Sequence, residues 1–217
     1  MRSDLTELVF ILDCSGSMFG MVSDTIGGFN RVLAENRAMP GGCTVTTVLF
    51  NDKTSVLHDH LPIAGVKELT EKEYCPGGMT ALLDAVGMAI AKIDGIQAHT
   101  AESERAEKVQ FVIITDGLEN SSREYSLEQI RSLISARKEK GWDFLFLGAN
   151  IDAVKVAGGL GIAPDRSVEM LQDKQGYAMA YASIGRANRA YRMQECAEPA
   201  DAWKAEVEAD TRARKRR

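Results

Sequence analysis

Short apolar runs alternate along the chain with segments in which apolar residues recur every three or four positions. Leu8–Leu12 and Val109–Ile114 are continuous apolar runs and Trp142–Leu147 is nearly so, a pattern typical of buried strands in a parallel sheet. Thr44–Phe50 is rich in β-branched residues, and a polar turn connects it to Thr54–Leu57. These two segments predict a hairpin, whose second strand would form an antiparallel edge of the sheet.

Helical spacing follows several of these strands. After Ser17 it continues to residues 39–42, and Gly27-Gly28 inside this helix predicts close packing on the sheet. A second helix opens near Thr80, and the capping-box pattern that begins at Ser126 opens a third, which runs to Lys140. The last predicted elements are a short helix (Asp152–Leu160), a short strand (Ser167–Met170) and a long helix from Asp173 to the break at Glu198-Pro199.

The alternation of strands and helices predicts an α/β fold: a doubly wound, mostly parallel sheet with one antiparallel edge strand and helices on both faces. With right-handed crossovers and the common strand order 3-2-1-4-5-6, the first and fourth strands lie side by side. Asp13 ends the first of these strands and Asp116 follows the fourth. Both aspartates are therefore expected at the crevice where the winding of the sheet reverses.

Length and charge limit the classes of function. The 217 residues suffice for one sizeable domain, predicted over 1–196, and 197–217 is predicted as a charged C-terminal helix or tail that is partly disordered. The net charge of -5 argues against a general nucleic-acid binder, apart from the basic stretch 212–217. The four cysteines form no C-x-x-C pair, and neither a signal-peptide core nor a membrane-spanning run is present, so we expect a cytoplasmic location.

Oxygen-bearing side chains supply the candidate chemistry. Asp13, Ser15 and Ser17 alternate after the first strand, Thr80 follows the glycine-rich Gly77-Gly78-Met79, and Asp116 follows the fourth strand. Such a set suits Mg²⁺ or Mn²⁺, with Ca²⁺ less favoured, and does not suit zinc or copper. The structural alternative is an ordinary turn in which Ser17 caps the next helix.

Three separated motifs carry a resemblance to a known family. Asp13-Cys14-Ser15-Gly16-Ser17, Gly78-Met79-Thr80 and Ile114-Thr115-Asp116-Gly117 resemble the von Willebrand factor type A (VWA) domain over about residues 6–195. The resemblance implies a metal-ion-dependent adhesion site of Asp13, Ser15, Ser17, Thr80 and Asp116, in which hydroxyls touch the metal and aspartates often act through water. Cys14 stands where the family often has a basic residue. The resemblance further implies a stand-alone intracellular bacterial or phage member, whose relatives serve as scaffolds, for example with AAA+ ATPases or in stress-response complexes.

Three functions remain open at this point. The leading hypothesis is a protein-binding module in which the metal accepts an acidic side chain from a partner. The alternatives are a Mg²⁺-dependent phosphohydrolase with Asp13 as nucleophile and a structural subunit whose metal only stabilises the fold. The predicted ligand rim consists of Met18, Gly78, Met79, Gly117, Glu119 and Asn120.

Three smaller features have structural explanations. His58 and His60 fall on one face of a strand, where an exposed hairpin end is favoured over a metal site. Gly158-Gly159-Leu160-Gly161 is interpreted as a turn, because it follows a helix and opens none. The tyrosine stripe of the last long helix is interpreted as packing.

Overall fold

A six-stranded sheet forms the centre of the computed structural model, which describes residues 1–194 and 199–215. The strand order is β3-β2-β1-β4-β5-β6, and every neighbouring pair is parallel except β2 and β3. The predicted fold class and strand order are therefore confirmed. The strands are β1 (Arg2–Asp13), β2 (Gly42–Phe50), β3 (Thr54–Pro62), β4 (Ala106–Thr115), β5 (Asp143–Ala149) and β6 (Ser167–Met170).

Helices cover both faces of the sheet. Side chains of β1 alternate between two apolar cores: Leu8, Phe10 and Leu12 face one, and Val9 and Ile11 face the other. The first core is shared with α1, α5 and α6, and the second with α2, α3 and α4. The helices are α1 (Val22–Arg37), α2 (Leu82–His99), α3 (Leu127–Lys138), α4 (Ala153–Gly159), α5 (Lys174–Met193) and α6 (Ala205–Lys215).

Local signals in the sequence placed most elements correctly. The capping box is confirmed: the Ser126 side chain accepts from the backbone of Gln129, and the Gln129 side chain accepts from the backbone of Ser126. The glycine-rich turn is confirmed only at Leu160-Gly161, where Gly161 has a φ of 86°, because Gly158 and Gly159 still belong to α4. The predicted boundary between residues 196 and 197 lies outside the described residues. No helix among the described residues is long and apolar enough to cross a membrane.

The two histidines of β3 correct the expectation of an exposed hairpin end on one strand face. His58 is buried, stacks on Phe29 and lies 3.0 Å from the Thr47 hydroxyl through Nδ1. His60 lies on the opposite face, where its Nδ1 is 2.6 Å from a carboxylate oxygen of Glu7. A left-handed backbone at His60 (φ 49°) and shifts in the β2–β3 register break the simple alternation of side chains.

The tyrosine stripe of α5 packs on α1, which explains one of the two adjacent glycines. A Cβ atom at Gly28 would lie 2.1 Å from a ring carbon of the buried Tyr181, whereas a Cβ at Gly27 would meet nothing within 4 Å. The predicted close packing is thus required at Gly28 and not at Gly27. The contact is with α5 rather than with the sheet itself.

We expect Gly28→Ala to lower the free energy of unfolding by about 1–3 kcal/mol, because the added methyl must displace a ring held in a packed core. Gly27→Ala is the matched control: it should be neutral or stabilise by up to about 1 kcal/mol, since alanine favours a helix over glycine. Urea unfolding of both variants measures the difference. Equal effects would contradict the assigned contact with Tyr181.

Candidate metal site

The turn after β1 brings three of the predicted residues together. β1 ends at Asp13, and a 3₁₀ turn over Gly16–Met21 carries the chain into α1. Asp13 Oδ1 accepts a hydrogen bond of 2.7 Å from the backbone N–H of Ser15, which tightens the turn. The Ser15 and Ser17 hydroxyl oxygens then lie 3.1 Å apart. The alternative in which Ser17 caps α1 is wrong, because its hydroxyl donates to Asp116 and the helix has no side-chain cap.

Asp13 is the most enclosed of the acidic groups at this edge, with 1% of its surface exposed. Its second oxygen, Oδ2, accepts a hydrogen bond of 2.6 Å from the Thr115 hydroxyl at the end of β4. Burial raises the pKa of the carboxyl, and the hydrogen bonds from Ser15 and Thr115 offset part of that rise. The β1–β4 pairing, Leu12 opposite Ile114, is what places Asp13 and Thr115 side by side.

Asp116 lies directly beyond β4 and is held at both oxygens. Oδ1 accepts a hydrogen bond of 2.5 Å from the Ser17 hydroxyl, and Oδ2 accepts one of 2.5 Å from the side-chain amide of Gln172. Burial raises the pKa of this carboxyl too, and the nearby charge of Asp13 raises it further. The two aspartates predicted to flank the crevice therefore do so, linked through the two serines.

Thr80 reaches the same edge from the loop before α2. Gly77 donates its N–H to the carbonyl of Cys14 (2.8 Å), and the carbonyl of Gly78 accepts from the N–H of Gly16 (3.1 Å). Gly78 has a left-handed φ of 73°, a conformation that suits glycine. A Cβ atom on Gly117 would lie 3.2 Å from Thr80 Oγ1 and 3.8 Å from Ser17 Oγ. The hydroxyls of Thr80 and Ser17 thus converge beside Gly117.

The loop after β4 braces Thr80. Asn120 accepts from the Thr80 N–H through its side chain (2.9 Å) and donates its own N–H to the Thr80 carbonyl (3.0 Å). Glu119 accepts from the backbone of Leu83 and from the backbones of residues 121 and 122, so it fixes the start of α2. The sequence predicts both residues at the ligand rim, whereas their contacts in the structure stabilise the loops.

The donor set fits a hard divalent cation. Two buried carboxylates lie beside three hydroxyls, and burial raises the pKa of both carboxyl groups. Uncompensated buried charge is costly, and a cation at this point would relieve it. Residues 1–194 and 199–215 contain no group of three or more His, Cys, Asp and Glu side chains arranged for a metal. Such a group is not required here, because hydroxyls supply the remaining oxygens.

The predicted rim is only partly at the surface. Gly78 and Met79 are exposed and Gly117 is half-buried, but Met18 is buried in the core, where its sulfur lies 3.4 Å from the Tyr177 hydroxyl. Met18 therefore does not line the rim. Two exposed apolar side chains were missed: Phe19, two residues after Ser17, and Leu118, two residues after Asp116.

Gln172 is the site residue that sequence reasoning missed altogether. It follows β6, and its side chain donates to Asp116 and, at 3.3 Å, to the carbonyl of Ser17. Its own oxygen accepts from the side chain of Asn150, which follows β5. A glutamine in a loop carries no motif, but the strand order β4-β5-β6 could have indicated it, because the exit loops of parallel strands meet at one edge.

Solved structures with the same fold match most of the chain. Proximal thread matrix protein 1 from the mussel byssus has zinc in its metal-ion-dependent adhesion site (MIDAS) motif. It matches with a TM-score of 0.57 and 14% identity, over 84% of this chain and 45% of that chain. The VWF domain of the type V pili tip protein Mfa5 from Porphyromonas gingivalis has a TM-score of 0.60 and 11% identity over 85% and 95% of the two chains. The chain has the von Willebrand factor type A fold.

A further solved structure agrees with the VWA fold. The manganese-loaded TRAP protein from Plasmodium vivax matches with a TM-score of 0.57 and 16% identity, over 85% of this chain and 74% of that chain. No family model and no curated protein sequence matches. The chain spans somewhat under half the length of the mussel protein.

Proposed function

We propose that this VWA-fold chain is a divalent-metal-dependent protein-binding module. Asp13, Ser15, Ser17, Thr80 and Asp116 would hold Mg²⁺ or Mn²⁺ between β1, α2 and β4, and the metal would accept an acidic side chain from a partner protein. The observation that carries the proposal is the convergence of three hydroxyls on two buried carboxylates. The zinc-occupied MIDAS of the mussel protein and the manganese of the Plasmodium protein support a metal at such a site.

Exposed apolar side chains around the site support a protein as the partner. Phe19, Met79 and Leu118 are 68%, 52% and 60% exposed. One of them lies on each of the three loops that carry the predicted ligands. Large exposed apolar side chains grouped at one place are typical of interaction surfaces. A partner that offers one carboxylate among apolar residues would match both the cation and this surface.

The contacts of Asp13 favour binding over phosphate hydrolysis. A nucleophilic carboxylate needs an oxygen that faces the substrate. Both oxygens of Asp13 instead accept hydrogen bonds, from Ser15 and Thr115, and the residue is buried, which suits an action on the cation through a bound water and not an attack on a substrate. We therefore propose a non-enzymatic role.

The identity of the metal and partner and the cellular setting are further proposals. Magnesium is proposed because hard oxygen donors suit it, although the zinc in the mussel protein shows that exclusion of zinc by donor type is too strict for this fold. A cytoplasmic location agrees with Cys14, Cys43 and Cys75, which form no disulfide among the described residues. An AAA+ ATPase or a stress-response complex as partner stays a prediction.

An array of peptides, each with one central Asp or Glu among varied neighbours, tests the proposal. We expect the wild-type chain to enrich acidic peptides over their Asn or Gln counterparts with Mn²⁺ and not with EDTA. Thr80→Ala should lose this enrichment, because the cation is no longer held. Phe19→Ser should keep the metal and lose the preference for apolar flanking residues.

Three results would contradict the proposal. If metal-loaded protein binds the acidic peptides and their Asn or Gln counterparts equally well, the result would favour a metal that only stabilises the fold. Equal enrichment with EDTA would place binding on another surface. Turnover of a generic phosphate ester that depends on Asp13 would instead support the phosphohydrolase.

A further inference from the structure

The loop between β6 and α5 contacts the proposed metal site through one side chain. Gln172 Nε2 lies 2.5 Å from Asp116 Oδ2 and 3.3 Å from the carbonyl oxygen of Ser17. Among the described residues, Gln172 is the hydrogen-bond partner of Asp116 farthest along the chain, and it belongs neither to the turn after β1 nor to the loop before α2. Gln172 thus connects a predicted ligand residue to the C-terminal part of the fold.

This contact sets the orientation of both Asp116 and Ser17. With Oδ2 held by the amide, Oδ1 of Asp116 faces the Ser17 hydroxyl at 2.5 Å. A hydroxyl has one hydrogen and two lone pairs. Because Ser17 gives its hydrogen to Asp116, its lone pairs stay available for the neighbouring Ser15 hydroxyl and for a cation. An Asp116 side chain that could rotate freely would not impose this arrangement.

Two groups fix Gln172 itself. Asn150, in a left-handed backbone conformation (φ 53°), donates to Gln172 Oε1 and so determines which end of the amide faces Asp116. The next residue, Asp173, caps α5 by accepting from the N–H of Gly176 at 2.9 Å. Arg214 on α6 forms an ion pair with Asp173. The last turn of α6 therefore holds the loop that carries Gln172.

We propose that Gln172 is a positioning residue of the metal site, and that Arg214 supports it through Asp173. The proposal rests on the proposed metal site, since Gln172 touches a predicted ligand residue and not the cation. Residues that orient metal ligands typically change metal affinity about 10- to 100-fold when removed. Metal affinity would then depend on α6, which lies outside the motifs of the resemblance.

Calorimetric titration of metal-stripped full-length protein with Mn²⁺ tests the proposal, at a temperature where circular dichroism shows every variant folded. We expect Gln172→Leu to raise the Kd for Mn²⁺ about 10- to 100-fold. Gln110→Leu is the matched control, because it removes a similar amide–carboxylate contact, Gln110 to Asp143 at 2.8 Å, at the start of β5 and so at the opposite end of the strands from Asp116. Its Kd should equal that of wild type.

A second pair of variants tests the role of α6. Arg214→Ala should raise the Kd by a smaller factor than Gln172→Leu, because it acts through one more contact. Lys215→Ala removes the neighbouring ion pair to Glu169 and should leave the Kd unchanged. Thermal unfolding of the metal-free variants separates lost affinity from lost stability.

The outcomes distinguish this proposal from the metal site on which it rests. If the wild-type chain does not bind Mn²⁺, or if Thr80→Ala binds as tightly as wild type, the proposed metal site is wrong. If the wild type binds, Thr80→Ala does not, and Gln172→Leu matches wild type, Gln172 is not a positioning residue. Equal losses in Arg214→Ala and Lys215→Ala would show a general effect of α6 and would overturn the link through Asp173.

Discussion

Thr80→Ala is expected to remove Mn²⁺ binding while leaving the metal-free fold intact. Loss of a hydroxyl that touches the cation should raise the Kd by a factor on the order of 100 or more, above the about 10- to 100-fold cost of losing a supporting residue. The hydrogen bonds that hold Thr80 in the described part of the chain run through its backbone N–H and C=O, which alanine retains. Calorimetric titration measures the affinity and urea unfolding measures the stability.

Because a bound metal stabilises the folded state, the melting temperature provides a second test of Thr80→Ala. A ligand that binds only the folded state stabilises it by about 2.7 kcal/mol at a concentration of 100 times its Kd. Mn²⁺ should therefore raise the melting temperature of the wild type and leave that of Thr80→Ala unchanged. Asp13→Asn should behave like Thr80→Ala, because the amide removes the charge and keeps one oxygen acceptor in place.

Ser121→Ala is the control for loss of a hydroxyl near the site. Its hydroxyl has no hydrogen-bond partner among the described residues, and its loop position is held through the backbone bond to Glu119. Affinity and melting temperature should both stay at wild-type values. A wild-type response to Mn²⁺ that survives in Thr80→Ala would place the cation elsewhere on the chain.

The site residues that could be predicted from the sequence are those that belong to local sequence patterns. Asp13, Ser15 and Ser17 follow an apolar run at fixed spacing, and Asp116 follows another. The order of strands then brings their ends together, because parallel strands of a doubly wound sheet present their carboxyl ends at one edge. Topology and motif therefore sufficed to place the five residues at one edge. In the structure, hydrogen bonds link Asp13, Ser15, Ser17 and Asp116, and the Thr80 hydroxyl lies beside Gly117.

The part that was missed depends on contacts between distant segments. Gln172 and Arg214 carry no periodicity or motif, and their roles appear only once β6 and α6 are placed next to the site. His60 lies on the face opposite His58 because its own backbone is left-handed, and the burial of His58 depends on Phe29 of α1, a contact between distant segments. Met18 looked like a rim residue by its position after Ser17, but the tight 3₁₀ turn directs it into the core.

The C-terminal stretch gave the weakest signal, since its composition is rich in alanine and charge. In the structure, residues 199–215 include a short 3₁₀ turn at Ala202–Lys204 and α6, and both contribute to the core beside α5. Trp203 and Val207 are buried there. Only two apolar side chains mark this packing, too few to produce a recognisable helical stripe.

Trp203→Ala is expected to lower the free energy of unfolding by about 3–5 kcal/mol, the usual cost of removing a buried aromatic ring. Trp203 is 5% exposed, packs in the core shared with α1 and α5, and donates its indole N–H to the carbonyl of Asp165 at 2.9 Å. The loss would leave a cavity and an unpaired carbonyl at the edge of the sheet near β6. Urea unfolding followed by the fluorescence of Trp142 measures the change.

Glu206→Ala separates this effect from a general sensitivity of the C-terminal stretch. Glu206 forms an ion pair with Arg186 at 3.1 Å, but its side chain is 66% exposed, and exposed ion pairs contribute about 0–1 kcal/mol. A large loss for Trp203→Ala with almost none for Glu206→Ala would make residues 199–215 an integral part of the domain. Two equally small effects would instead favour the separate C-terminal helix or tail expected from the sequence, and α6 could not then support Gln172 as proposed.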